Sequence, residues 1–444
     1  MIKIVKSSDI KEIKNLQKKL SVDEGMVTPS SVALTKKIFG KVLTPNEVVK
    51  RICEDVKKYS DDAILKYSRL LDGVRFKQKS DFKVSFYEMK KAWENTDKLF
   101  KDSLSKAAKN ILYYQKKILT KSKEISVEKD LKIYLKYIPL QRVGVYVPSG
   151  SAPLSSSILM NVLPAQAAGV KDIIVCTPPS KDGSVNKFIL ACCFFCNVKS
   201  LFKIGGVTAV AGMAYGTEII PKVDKIVGPG NLFVSLAKKR VFGLVDIDLI
   251  AGPSEIVIIA DDSAKSEFIA ADLIAQAEHY PGAAILLTDS ITLAKKVNED
   301  IKRFLPQLSR SPQIKEDLKK YSLIVVCKNI SEACKISNDI APEHLSLQTK
   351  KTDKVINSVD NAGAVFIGPW SPVALGDYFA GPSHTLPTGG TSRFFSGLNS
   401  NQFLKSVAFI KSNSEYIKRY AKYIENLAES EGLTGHKFSV YLRK

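Results

Sequence analysis

The chain is 444 residues long, 45% hydrophobic and 25% charged, and carries a formal net charge of +21. That length exceeds a single ordinary core and predicts two or more domains, while the balance of apolar and charged residues excludes a disordered chain. No apolar run approaches the roughly 20 residues of a membrane helix, and Met1-Ile-Lys-Ile-Val-Lys6 lacks a signal-peptide core, so a cytoplasmic protein with no membrane partner is expected.

In chain order, 1–123 reads as a helical region. Thr44-Pro45-Asn46-Glu47 supplies a capping threonine and a proline at the first helical position, and Ile52, Val56, Ile64 and Leu65 recur at helical spacing until Asp72-Gly73. A second long helical pattern spans 87–119. Seven lysines from Lys101 to Lys123 interleave with Leu104, Ala107, Ala108, Ile111 and Leu112, as a solvated face does over a core face. Residues 124–137 alternate through Ile125, Val127, Leu131, Ile133 and Leu135, which predicts a hairpin.

From Val143 the texture changes. Short apolar runs at 143–147, 173–176, 201–204, 225–227, 256–259, 285–287, 323–326 and 365–367 alternate with helical stretches. The expected fold is α/β, with two doubly wound, incomplete Rossmann-like units at 124–250 and 251–390 and ligands at strand C-terminal ends and switch points. Residues 391–444 are expected to form a helical tail, since Tyr416, Ile417, Tyr420, Ile424 and Leu427 give 414–429 an amphipathic pattern. No internal repeat or low-complexity segment is visible.

The seven cysteines (53, 176, 192, 193, 196, 327 and 334) are odd in number and form no regular framework, unlike those of a secreted disulfide scaffold. Cys193-Phe-Phe-Cys196 is a CxxC without a second one, and its apolar surroundings predict a buried helix face without a metal. The basic charge raises RNA binding through the lysine-rich helices as a distant alternative function. No aromatic RNA-binding signature, zinc finger or basic zipper accompanies it, so nucleic acid is not an expected partner.

The chemistry centres on four histidines. Gln276 and His279 share a helix face near a C-terminus, three residues apart, where both can reach one ion; on spacing alone a dipole-compensating cap is the better reading of His279, and Glu278 is as good a ligand as Gln276. Glu343-His344 precedes a strand at 345–347, where adjacent side chains are expected on opposite faces and so in distinct roles; a neutral histidine buried in a turn explains His344 equally well. Asp377 and His384 stand in a Gly- and Pro-rich stretch, 375–390, whose many special backbone positions favour a functional loop. Glu431 and His436 repeat the acid–histidine theme in a tail that, by itself, reads as solvated. The turns Val227-Gly-Pro-Gly-Asn231 and Ile250-Ala-Gly-Pro-Ser254-Glu255 match no standard phosphate fingerprint.

Together these segments resemble the histidinol dehydrogenase family, from Val145-Tyr146-Val-Pro to the tail. The most specific pieces are Ala275-Gln-Ala-Glu-His279, Ala341-Pro-Glu-His-Leu345, the 376–390 loop and Glu431-Gly-Leu-Thr-Gly-His436. The resemblance implies one zinc per chain held by Gln276, His279, Asp377 and His436, the last reaching the site of a partner subunit in a homodimer. It implies oxidation of L-histidinol through a bound L-histidinaldehyde to L-histidine with two NAD, a step of histidine biosynthesis. His344 then corresponds to the base of both oxidations and Glu343 to the group that activates water for the second. Zinc corresponds to a template for the substrate's imidazole and amine. Substrate contacts correspond to Ser254, Gln276, His279, His344, Asp377, His384, Glu431 and His436, and NAD contacts to Tyr146, Thr208 and Asn231. The cofactor side thus falls in 124–250 and the metal and catalytic loops in 251–390.

Two departures fall on the cofactor side. Gly205-Gly-Val-Thr208 stands where the family commonly has Gly-Gly-Ala-Gln, and Val147-Pro-Ser149-Gly150 where it commonly has Val-Pro-Gly-Gly. An enzymatic alternative is a relative with the same metal site acting on another amino alcohol or polyol.

Overall fold

The computed structural model describes residues 1–20, 29–149, 153–279 and 281–444. The strands are β1 (Lys3–Lys6), β2 (Lys83–Val84), β3 (Lys123–Glu128), β4 (Leu131–Pro139) and β5 (Arg142–Tyr146). They continue with β6 (Asp172–Thr177), β7 (Ser200–Lys203), β8 (Lys225–Val227), β9 (Asp246–Ile247) and β10 (Ser254–Ala260). The last five are β11 (Gly282–Thr288), β12 (Leu323–Val326), β13 (His344–Gln348), β14 (Ala364–Ile367) and β15 (Leu404–Ser412). They build sheets ordered β2-β7-β6-β5-β8-β9, β1-β12-β11-β10-β13-β14 and β15-β4-β3.

In both six-stranded sheets the central strands are parallel and separated by helices, so both faces are buried and the strands are mainly apolar. β10 sends Ile256, Ile258 and Ala260 into one core and Val257 and Ile259 into another; β5 divides Val143 and Val145 from Tyr146 in the same way. β5 to β9 and β10 to β14 trace the same path, stepping outward through two strands and then crossing back to the other side. The repeat absent from the sequence is therefore present in the topology, which fixes a burial pattern but not residue identities.

Sheet membership crosses the expected boundaries at 123 and 390. β1 joins the second sheet beside β12 and β2 joins the first beside β7, so the N-terminal segment serves both units. The expected hairpin forms from β3 and β4, and β15 extends it in antiparallel register from Leu404↔Pro139 to Ser412↔Leu131. The tail helix Ser414–Ser430 then docks on this sheet. Arg419 bonds to Glu128 and Asp130, and the Tyr420 hydroxyl donates to Glu128 at 2.5 Å.

The long helical pattern at 87–119 is two helices, Phe86–Glu94 and Lys98–Lys117, because Asp97 caps a new start by accepting the Phe100 N–H at 2.8 Å. Helix Pro45–Tyr67 begins as expected, with Thr44 and Glu47 in a reciprocal capping box. Cys192 and Cys193 sit in the buried helix Lys187–Phe195, and all seven cysteines are buried and free. Among the described residues no helix is long and apolar enough to cross a membrane.

Candidate active site

A crossover helix starts near the C-terminal edge of its sheet and ends at the N-terminal edge, where the next strand begins. That is how the chemistry-bearing residues of the second unit meet. Ser254 opens β10. Gln276 lies in the last turn of the helix Ser266–Ala277, and His279 follows that helix before β11. A Cβ at Gly282 would lie 2.0 Å from the Gln276 carbonyl oxygen, so only glycine allows β11 to start this close to the helix end. His344 opens β13, opposite Ile256 on one side and Ala364 on the other. Ligands were expected at strand C-terminal ends; in the second sheet the cluster lies at the N-terminal ends instead.

Asp377 also departs from its expected setting. It lies in the short helix Val373–Tyr378, and the irregular loop begins only after it. His384 hangs from that loop with its Nδ1 3.0 Å from the Asp377 carbonyl oxygen and its Nε2 3.1 Å from the hydroxyl of Ser157, on the first unit's helix Ser156–Ala168.

A continuous polar chain joins these groups. The Gln276 amide nitrogen donates to Ser254 Oγ at 2.6 Å, and that hydroxyl donates to Glu343 Oε2 at 2.5 Å. Glu343 Oε2 is 3.7 Å from His344 Nδ1, and Asp377 Oδ1 is 3.7 Å from His344 Nε2. The expected opposition of Glu343 and His344 is thus overturned. Glu343 sits in the bend before β13, where the strand's alternation has not begun, and its carboxylate turns back along the imidazole. Both are buried, and both ring nitrogens of His344 lack a hydrogen-bond partner. A polar ring held in that state is available to a ligand.

Burial opposes a charge on His344, but the Glu343 and then the Asp377 carboxylates outweigh it and push the imidazole up to about 9. Burial raises Glu343 above the usual carboxylate range despite His344 and the Ser254 hydroxyl. Burial also works against the Asp377 charge, yet the His344 imidazole holds that carboxyl below its ordinary value. His384 is lowered by burial, with Asp377 acting the other way.

The remaining expected site residues lie in two other places. Tyr146, Thr208 and Asn231 sit at the C-terminal ends of β5, β7 and β8, around the point where the first sheet reverses direction. The Tyr146 hydroxyl accepts the Gly206 N–H at 3.2 Å. Thr208 is buried, its hydroxyl donating to the Gly205 carbonyl at 2.7 Å, and Asn231 caps helix Leu232–Val241 by accepting the Val234 N–H. A Cβ at Gly228 would meet the Tyr146 carbonyl oxygen at 2.1 Å, so this turn needs its glycine. Buried Lys238 pins it, donating to the Gly228 carbonyl and pairing with Asp248. Glu431 and His436 are exposed on the tail, and among the described residues no hydrogen bond or ion pair joins them to Gln276, His279 or Asp377.

The family model of histidinol dehydrogenase matches residues 40–444. The histidinol dehydrogenase of Rhodopirellula baltica is 42% identical over 428 residues, covering 96% of this chain and 93% of its own. That of Aquifex aeolicus is 43% identical over 397 residues, covering 89% and 92%. The crystal structure of histidinol dehydrogenase from Elizabethkingia anophelis matches with a TM-score of 0.89 at 33% identity, covering 100% of this chain and 98% of that one.

The chain belongs to the histidinol dehydrogenase family.

The family match begins only at residue 40, yet β1, before it, completes the second sheet beside β12. Of the two departures from the histidinol dehydrogenase pattern, Thr208 turns its side chain inward to its own helix start. Ser149 bridges to Pro153, while Gly150 lies outside the described residues. For the zinc implied by the resemblance, the candidate donors are the His279 imidazole, the Asp377 carboxylate and the Gln276 amide, with His279 near enough to act on the Asp377 charge. Because the Gln276 nitrogen is spent on Ser254, its oxygen remains as donor, and this mixed nitrogen–oxygen set fits a catalytic zinc. Among the described residues no group of three or more His, Cys, Asp or Glu is placed to hold a metal. A tetrahedral site built on this set requires a fourth donor.

Two residues of this network escaped the sequence reading. Glu255 left a signal, an acid inside an otherwise apolar strand, Ser254–Ala260. Ser157, one of three consecutive serines, left none.

Proposed function

We propose that this chain oxidises histidinol to histidine in two NAD-dependent steps of histidine biosynthesis, keeping the intermediate aldehyde in the site. The observation that carries this is the buried His344, flanked at 3.7 Å by Glu343 and Asp377 and left with two unbonded ring nitrogens, in a chain of this family. When bound, zinc templates the imidazole and amine of the substrate and NAD accepts the hydride. The chain's own groups move the protons. Asp377, if engaged as a ligand, would withdraw part of the charge that stabilises the imidazolium, and His344 takes the proton released at each oxidation.

Glu343 serves the second oxidation, which consumes water. Both bonds it accepts, from the Ser254 hydroxyl and the Glu255 N–H, fall on Oε2, leaving Oε1 to receive a proton from water. Ser254 and His384 hold the substrate, and Tyr146 and Asn231 mark the cofactor edge of the first sheet, with the buried Thr208 behind it.

His279, Asp377 and Gln276 hold one zinc per chain, with His436 of a second copy as the fourth ligand and its Glu431 against the substrate. Three donors in one chain, an exposed His436, and exposed Leu427, Leu433, Phe438 and Leu442 on the same tail support a homodimer. Seven free, buried cysteines support a reducing, cytoplasmic setting. NADH formation from histidinol, before and after chelation and after zinc is restored, tests the assignment. The expected result is activity lost and recovered with the metal. Turnover of other amino alcohols or polyols but not of histidinol would overturn it.

A further inference from the structure

Glu255 is the second residue of β10 and is fully buried. Its Oε1 accepts two backbone N–H groups, from Glu343 at 3.2 Å and from Gly389 at 2.8 Å, while Oε2 has no partner. In return the Glu255 N–H donates to Glu343 Oε2 at 3.1 Å. Each glutamate therefore fixes the other's backbone with its own carboxyl. The exchange sits one residue before Ile256 and His344 come into register, where β10 and β13 begin their ladder.

Three segments meet at this one side chain. β10 carries Ser254, which bonds both Glu343 and Gln276. β13 carries His344. Gly389 ends the loop that carries His384, and its neighbour Thr388 accepts the Gly252 N–H at 2.5 Å, tying the same loop to the chain before β10. We propose that Glu255 is a positioning residue for the oxidation, locking Glu343 and His344 against the His384 loop without touching substrate. This rests on the roles assigned above to Glu343 and His344.

The arrangement calls for a carboxyl shape more than a carboxylate charge. Both accepted bonds end on Oε1, and among the described residues no cation is bonded to the group. Burial and then the Glu343 charge push Glu255 up to about 8, against the N–H groups of Gly389 and Glu343 and, after them, the His344 imidazole. Glutamine reproduces the Oε1 acceptor, whereas alanine removes it and leaves two buried N–H groups unmet. Aspartate withdraws the acceptor by one methylene.

The test compares Glu255→Gln, Glu255→Asp and Glu255→Ala in the zinc-loaded full chain, each checked for fold and metal content. Misplacing reacting groups by an ångström costs about 100-fold in rate, so kcat per folded, metal-loaded chain is expected to fall by about that factor in Glu255→Ala with KM little changed. Glu255→Gln is expected to restore most of that loss. If Glu255→Ala does not fold, Glu255→Asp carries the comparison. An unreduced kcat in the folded alanine or aspartate chain, or a glutamine chain as slow as alanine, overturns the proposal. A second readout needs no turnover. The imidazole 15N signals of the four histidines at one pH are expected to shift for His344, but not His436, in the alanine or aspartate chain. An unmoved His344 signal overturns the proposal. A wild-type chain inert toward histidinol overturns the assigned reaction instead, and leaves this spectroscopic comparison to judge Glu255.

Discussion

Ser157 and His384 join the two parallel units across the site, with Ser157 Oγ 3.1 Å from His384 Nε2 and the opposite nitrogen 3.0 Å from the Asp377 carbonyl oxygen. A carbonyl only accepts, so Nδ1 carries the proton and Nε2 takes the Ser157 hydroxyl hydrogen. Burial lowers His384 and favours this neutral form. Ser157→Ala would leave the ring free to turn. With one buried hydrogen bond lost, kcat/KM for histidinol is expected to drop by about tenfold while zinc content holds. Steady-state kinetics at saturating NAD checks this, and an unchanged kcat/KM would refute the link.

Glu343 and His344 touch the same space but should separate by half-reaction. His344→Ala is expected to slow alcohol and aldehyde oxidation alike, each by about 100-fold or more, since one base serves both. Glu343→Gln should mainly impair aldehyde oxidation, the only step that consumes water. Single-turnover NADH formation from histidinol and from histidinaldehyde distinguishes them. Equal losses from Glu343→Gln in both would contradict the division.

Glu255 also makes stability depend on pH. Unfolded, its carboxyl titrates at the ordinary 4.5; folded, near 8, so in that window the folded state holds the extra proton. Stability from this group is therefore complete at and below the lower value and declines as pH rises toward the upper one. Glu255→Gln has no such proton to lose. Urea midpoints of the two proteins should diverge in favour of glutamine between about pH 5 and 8. Parallel profiles would show that Glu255 does not titrate there.

The parallel sheets were legible because burial on both faces turns most central strands into apolar runs, and Lys225–Val227 and Leu323–Val326 match residue for residue. The edge strands were not. Lys3–Lys6 and Lys83–Val84 are short and lysine-bearing, and only the sheet they extend makes them strands. In the site, the histidines stood out by rarity and the order of motifs supplied their partners. What spacing alone could not give was direction. The expected opposition of Glu343 and His344 assumed a pleat that starts one residue later, and the expected C-terminal edge overlooked that Gln276 and His279 end a returning helix.

Metal binding should depend on both elements that converge below β10. His279→Ala and Asp377→Ala each remove one of three proposed donors, and either is expected to lower zinc affinity by at least the roughly 10- to 100-fold that losing a supporting contact costs. Asp377→Ala should also shift His344, its neighbour at 3.7 Å. Elemental analysis after dialysis against a graded chelator measures this. Wild-type retention in both variants would exclude the proposed ligand set.

The tail offers the sharpest test of the assembled site. Glu431 and His436 are exposed, beyond a helix held to the β3–β4 hairpin by Arg419 and Tyr420, and in the proposed site the chain supplies three of four donors. If a second copy provides the fourth, dimer and activity fail together, and truncation after Ser430 abolishes zinc-dependent turnover. Co-expression of His344→Ala with His436→Ala makes the geometry visible. With tails crossing over, each heterodimer has one site carrying both lesions and one carrying neither, so about half of a dimer's activity returns per heterodimer when sites act independently. With each tail serving its own site, every site keeps one lesion and no activity returns. Isolating the heterodimer with two affinity tags and measuring NADH formation decides between these outcomes, and silence from a verified heterodimer would refute the shared site while leaving the reaction intact.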